Sequence, residues 1–173
     1  MRLARRRFIQ AGLAGTALLV SVRWMDRGFN ALAAPPDALD ASANEVIRAL
    51  VPVVLAGVLP AEAAQRAKAV DETVEAFGRA VGGLAPAIQE EIRQMLSLLS
   101  FAPTRYMMTG IGAGWREASA IDIAAFLEDW RHSRFELKRA GYRALTQLIQ
   151  GSWFDNPLAW PVIGYPGPPE LPA

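Results

Sequence analysis

The sequence predicts an all-α protein: a small bundle of about four to five helices followed by an extended, proline- and aromatic-rich C-terminal tail. Three observations predict it. Apolar residues recur at helical 4-3-4 spacing, as at Val70, Val74, Phe77 and Val81. Gly and Pro clusters separate segments of helical length. No stretch shows the sustained apolar–polar alternation of a strand. With 173 residues, 52% hydrophobic and 20% charged, the chain is long enough to bury one core and too apolar to be a charged disordered polymer.

The elements follow in order. Pro35-Pro36-Asp37 is a linker. Ser42-x-x-Glu45 has the form of a capping box, opening an apolar helix through Val46, Ile47, Leu50, Val51, Val54 and Leu55. Pro52 is expected to bend that helix or cost it a hydrogen bond. A second helix is predicted from about Ala61 to Val81, stopped by Gly82-Gly83. A third starts near Pro86, sends Ile88, Ile92, Met95, Leu96 and Leu99 inward, and is expected to carry first-turn acids that suit the helix dipole. Thr104 to Met108 is expected to form a short helical turn, and Ile111 to Gly114 a loop. A fourth, long helix is predicted from Ser119, capped with Asp122, to about Gln150. It presents Ile123, Phe126, Leu127, Trp130, Leu137, Leu145, Leu148 and Ile149 and is expected to kink near Gly141. Beyond Trp153 the prolines allow no more than one helical turn, so residues 154–173 are expected to be extended.

Composition removes much chemistry. With no cysteine there is no disulfide, no thiolate-ligated zinc or iron–sulfur cluster and no thiol nucleophile. A single histidine, His132, rules out sites that need two imidazoles, including a ferritin-like di-iron centre. His132 itself has only Glu128 and Asp129 as local acids, and the bland reading of a surface side chain is favoured over a general base. Arg131, Arg134 and Lys138 form a basic stripe that reads as a solvated helix face or as a site for an acidic partner. Gly110-Ile111-Gly112-Ala113-Gly114 lacks the strand and the spacing of a dinucleotide-binding turn. Glu90-Glu91 and Glu128-Asp129 diverge by about 100° on a helix, so neither is an acid–base pair. No catalytic, cofactor-binding or metal-ligating residue is therefore assigned, and the chain is expected to be non-enzymatic.

The first 33 residues read as an export leader. A basic start, Arg2-Leu3-Ala4-Arg5-Arg6-Arg7, precedes a 12-residue, mildly apolar stretch from Ala11 to Val22, and Ala31-Leu32-Ala33 offers a cleavage site. That stretch is shorter than the roughly 20 residues of a membrane span. Arg5-Arg6-x-Phe8 resembles the twin-arginine translocation signal, with Ala4, Ile9 and Gln10 departing from its usual form. The leader predicts a folded protein exported to the periplasm, either cleaved or retained as a membrane anchor. It holds six of the 18 basic residues and one of the 17 acids, so residues 34–173 carry a formal −4. No nucleic-acid partner is expected of that domain.

The tail is the least ordinary segment. Trp160, Tyr165 and five prolines lie within residues 157–169. Such a segment reads either as a rigid docking element or as a strap that buries Trp160 on its own bundle. Trp130-x-x-Ser133-x-Phe135, together with Trp153-Phe154-x-Asn156-Pro157-x-x-Trp160-x-x-Ile163-Gly164-Tyr165-Pro166-Gly167-Pro168-Pro169 behind a twin-arginine-like leader, resembles the gluconate 2-dehydrogenase subunit 3 family. These are small subunits of membrane-associated FAD-dependent dehydrogenases. A similar segment precedes the flavin domain of long-chain alcohol oxidases. The resemblance covers roughly residues 40–169. It implies an escort that binds a leaderless flavoprotein of the glucose–methanol–choline type and brings it through the twin-arginine translocase. FAD would sit on the partner, and electrons would pass on to a cytochrome subunit or a quinone. It also implies a partner interface comprising Trp130, Ser133, Trp160, Gly164, Tyr165, Pro166, Gly167 and Pro168. The rival readings are a stand-alone periplasmic helical protein binding a small apolar ligand, and an independent enzyme without a G-x-S-x-G or other recognisable motif.

Overall fold

The computed structural model describes residues 39–167. The leader residues Arg5, Arg6, Phe8, Ala31 and Ala33, and Pro168 of the tail, lie outside the described residues. The described residues form six α-helices and no strand: α1 (Ala41–Val54), α2 (Ala63–Gly82), α3 (Pro86–Ser100), α4 (Ala102–Thr109), α5 (Ala120–Arg131) and α6 (Glu136–Phe154). A 3-10 helix, Pro157–Ile163, follows α6.

α1 is the central helix and touches α2, α3, α5 and α6. The apolar run explains this placement, because Val46, Ile47, Leu50 and Val51 are all fully buried. Its cap differs from the predicted box. Asp40 is the N-cap, accepting 2.7 Å from the Ala43 N–H, and the Ser42 hydroxyl donates to the same Asp40 carboxylate. Pro52 sits exposed in the last turn, where a missing N–H costs one bond near an end the helix reaches two residues later. α2 is capped by Glu62, whose carboxylate accepts from the Ala64 and Gln65 N–H groups; these bonds hold its pKa below the usual carboxylate value. Val70, Val74, Phe77 and Val81 are buried on α2, as their spacing predicts.

Four expectations are corrected. The long fourth helix is two helices, α5 and α6, broken at residues 132–135 rather than kinked at Gly141. In one straight helix Trp130 and Gly141 would lie about 16 Å apart. Here a Cβ built on Gly141 would come within 2.6 Å of the Trp130 ring. The chain turns back so that α6 packs on α5. Ser133 makes that turn, its hydroxyl accepting from the Phe135 N–H at 3.2 Å and its carbonyl from Arg139 Nη1 at 2.6 Å. Secondly, the turn after α3 is a full eight-residue helix. Thirdly, Ile88 and Leu137 are exposed, Leu137 by 81%. Both lie in the first turn of their helices. Side chains there tilt toward the N-terminus and overhang the packed bundle. The acids of α3 also fall beyond its first turn.

The closeness of Gly141 to Trp130 and to Met95 Sδ, 3.2 Å from the same hypothetical Cβ, leaves no room for a side chain. Gly141→Val is expected to destabilise the fold by about 1–3 kcal/mol through overpacking. Gly151→Ala, on the same helix with nothing within 4 Å, should stabilise it by up to about 1 kcal/mol through helix propensity. Chemical denaturation of both variants measures the contrast.

Candidate functional site

The tail between residues 153 and 167 is a built unit, and only its last part is extended. Asn156 opens it. Its Oδ1 accepts from the Leu158 N–H at 2.9 Å, while its Nδ2 donates to Glu72 Oε2 of α2 at 2.7 Å. Pro157 follows at the first helical position, where its ring is favourable and no N–H is needed. Two turns of 3-10 helix then bury Ala159 completely. Gly164 ends the helix in the left-handed region (φ 68°), with the Tyr165 N–H bonded back to the Trp160 carbonyl at 2.9 Å. The Trp160 ring meets Tyr165 edge-on at 5.5 Å between centroids, and its Nε1 donates to the Phe154 carbonyl at 3.3 Å. Gly167 (φ 102°) lies against the same indole, with 3.1 Å left for a Cβ. Trp160 is half-buried, while Gly164, Tyr165 and Pro166 are exposed. Asn156, Ala159 and Trp160 hold the segment to the bundle, and Tyr165 and Pro166 face outward.

The other expected interface residues lie elsewhere. Trp130 is a core residue, 2% exposed, rather than a surface side chain. Its ring stands edge-on to Phe126 at 4.9 Å, and its Nε1 donates to the Met108 carbonyl at 3.0 Å. Its place in the core follows from α6 folding back over it. Ser133 is half-buried in the α5–α6 turn. Next to it, Phe135 and Leu137 are exposed.

The basic stripe is mostly paired. Arg131 lies 3.8 Å from Glu128, and Lys138 is 3.0 Å from Asp129. Arg134 makes no ion pair among the described residues, its guanidinium lying 4.7 Å above the Phe135 ring. His132 Nε2 is 2.8 Å from Glu128 in an exposed pair at the end of α5. Glu136 accepts from Arg143 at 2.8 Å and from Arg139, and these bonds hold its carboxyl below the usual range.

One feature escaped the sequence reading. An open polar cleft of about 230 Å³ between α2 and the end of α6 is lined by Glu72, Glu75, Arg79, Ser152, Asp155 and Asn156. The sequence pattern marks Glu72, Glu75 and Arg79 only as the solvated side of α2, because the opposite wall comes from residues some 80 positions away. Among the described residues no three His, Asp or Glu side chains are grouped to hold a metal ion. No described helix is long and apolar enough to cross a membrane. Comparisons with protein-family models, curated proteins and solved structures give no match.

Two outcomes are expected. Trp160→Ala should lose a ring pair of about 0.5–1.5 kcal/mol. Trp153→Ala, at a fully buried indole, should lose about 3–5 kcal/mol; thermal unfolding of the two variants gives the ordering. Glu136 has a depressed folded-state pKa, so its contribution is present above the unfolded value of about 4.3 and is lost as pH falls through the folded one. The stability gap between wild type and Glu136→Gln should therefore be constant near neutrality and close in acid; denaturation midpoints across pH 2–7 measure it.

Proposed function

We propose that this chain is a non-catalytic small subunit that binds a leaderless FAD-dependent alcohol or sugar dehydrogenase, stabilises it and brings it through the twin-arginine pathway to the periplasm. The observation that carries the reading is the joining of a twin-arginine-like leader to a helical domain whose tail displays Tyr165 and Pro166 on a braced support. Rigidity supports binding, because a pre-formed segment loses little entropy on docking. FAD belongs to the partner in this reading. The electron acceptor would be a cytochrome subunit or a quinone at the membrane. The interface set keeps Ser133, Trp160, Gly164, Tyr165, Pro166, Gly167 and Pro168; burial of Trp130 gives it a supporting position behind the surface.

Affinity-tagged full-length chain, purified from the periplasmic and membrane fractions of its native host, should bring down a flavoprotein, seen as flavin absorbance in the eluate. Replacing Arg5 and Arg6 with Lys should leave both proteins in the cytoplasm. Partner activity that still reaches the periplasm would overturn the escort role. An eluate free of flavin, from a chain that instead carries a small apolar ligand, would establish the stand-alone binding protein.

A further inference from the structure

The chain has no cysteine, so its five methionine sulfurs are its only sulfur atoms and the ones a peroxide would oxidise. Met1 and Met25 lie outside the described residues. The three described methionines stand in different surroundings. Met95 is half-buried on α3, and its Sδ lies in the contact with α6, 3.2 Å from a Cβ built on Gly141. Met108 is half-buried near the end of α4 and packs against the core, and its carbonyl accepts from the Trp130 indole. Met107 is 77% exposed. Neighbours on a helix point about 100° apart, so one of two adjacent methionines meets the core while the other faces water.

We propose that Met107 is an oxidation site, taking up one oxygen from hydrogen peroxide while Met95 and Met108 stay reduced and the bundle stays folded. The Sδ lone pair attacks one peroxide oxygen. An S–O bond forms as the O–O bond breaks, and the departing hydroxide removes the proton from the transferred oxygen. The products are methionine sulfoxide and water, and sulfur gives up the two electrons that the peroxide gains. The sulfoxide is polar where the thioether was apolar. At Met107 that change falls on a side chain already in water. At Met95 it would fall on the contact between α3 and Gly141, and at Met108 on a side chain packed against the core. The site needs no partner protein, so it stands apart from the escort reading.

Peptide mapping of the folded full-length chain tests it. The chain is treated with dilute hydrogen peroxide, quenched and digested with trypsin. That digestion places Met95 in residues 94–105, Met107 and Met108 together in 106–116, and Met1 and Met25 in other peptides. Fragment ions separate 107 from 108. Met107 should take its oxygen about tenfold faster than Met95 or Met108, because exposure of the sulfur governs the rate. In guanidinium chloride, with the fold gone, the three rates should converge. Met107→Leu should remove the fast phase and keep the circular dichroism and melting temperature of wild type. Briefly treated protein, oxidised at 107 alone, should melt with wild type too. Met95 or Met108 reacting as fast as Met107 in the folded chain overturns the proposal. A preference for Met107 that persists in guanidinium chloride also overturns it, since it would then come from local sequence and not from the fold. So does a clear fall in melting temperature on oxidation at 107 alone.

Discussion

A helix leaves its last carbonyls without intrahelical donors, and at three helix ends here an indole from another part of the chain supplies one. Three indole N–H groups do this, while that of the buried Trp153 has no partner among the described residues. Trp115 donates to Leu99 near the end of α3 at 2.8 Å, Trp130 to Met108 near the end of α4 at 3.0 Å, and Trp160 to Phe154 at the end of α6 at 3.3 Å. Arg105, 7% exposed, adds a guanidinium bond to the Ser100 carbonyl, and a cation there also suits the negative end of the α3 dipole. Each such bond is worth about 0.5–1.5 kcal/mol net, but a buried carbonyl left bare costs about 1–3 kcal/mol. Every one of these indoles therefore ties one element's end to another, fixing where the chain must turn.

Trp130 shows how far one such tie reaches. Its N–H must reach α4, its ring must pack on Phe126, and its other face must be covered. Only a helix folded back without a side chain at the contact can cover it, and Gly141 supplies that helix. The α5–α6 break, made locally by the Ser133 hydrogen bonds, is what lets α6 cover the indole. The same break brings the first turn of α6, with Phe135 and Leu137, to the bundle's edge. Packing on the inside and apolar exposure on the outside are two effects of one turn.

Periodicity made the core legible. Buried residues on α1 and α2 fall on the stripes that the apolar spacing marks, and Ser119 caps α5 as read, accepting from the Asp122 N–H at 3.1 Å. What was illegible depended on partners distant in sequence. Asp40 displaced Ser42 as the cap because it stands at the last non-helical residue, a boundary that composition does not mark. The break before α6 brings Trp130 against Gly141, a contact that no window of helical spacing contains. The polar cleft needs both Glu72 and Asn156, 84 residues apart. Conversely, the prolines of the tail suggest no more than one helical turn. Pro157 stands where a helix begins and Pro161 lies in a 3-10 turn, so two turns form.

The tail also separates what a sequence motif says about fold from what it says about binding. Asn156 is explained by its cap and its bond to Glu72, Pro157 by the first helical position, and Ala159 by full burial. Gly164 is explained by its left-handed cap and Gly167 by the Trp160 ring. A chain that needed only to close α6 against α2 would keep all five. Closing the helix does not require a large aromatic at residue 165 with its outer side open to solvent, nor an arginine without an ion pair among the described residues resting on an exposed phenylalanine at the opposite end of the same helix. Those side chains are the surplus over folding: the burial, caps and bonds that hold the tail and the α5–α6 turn in place do not account for them.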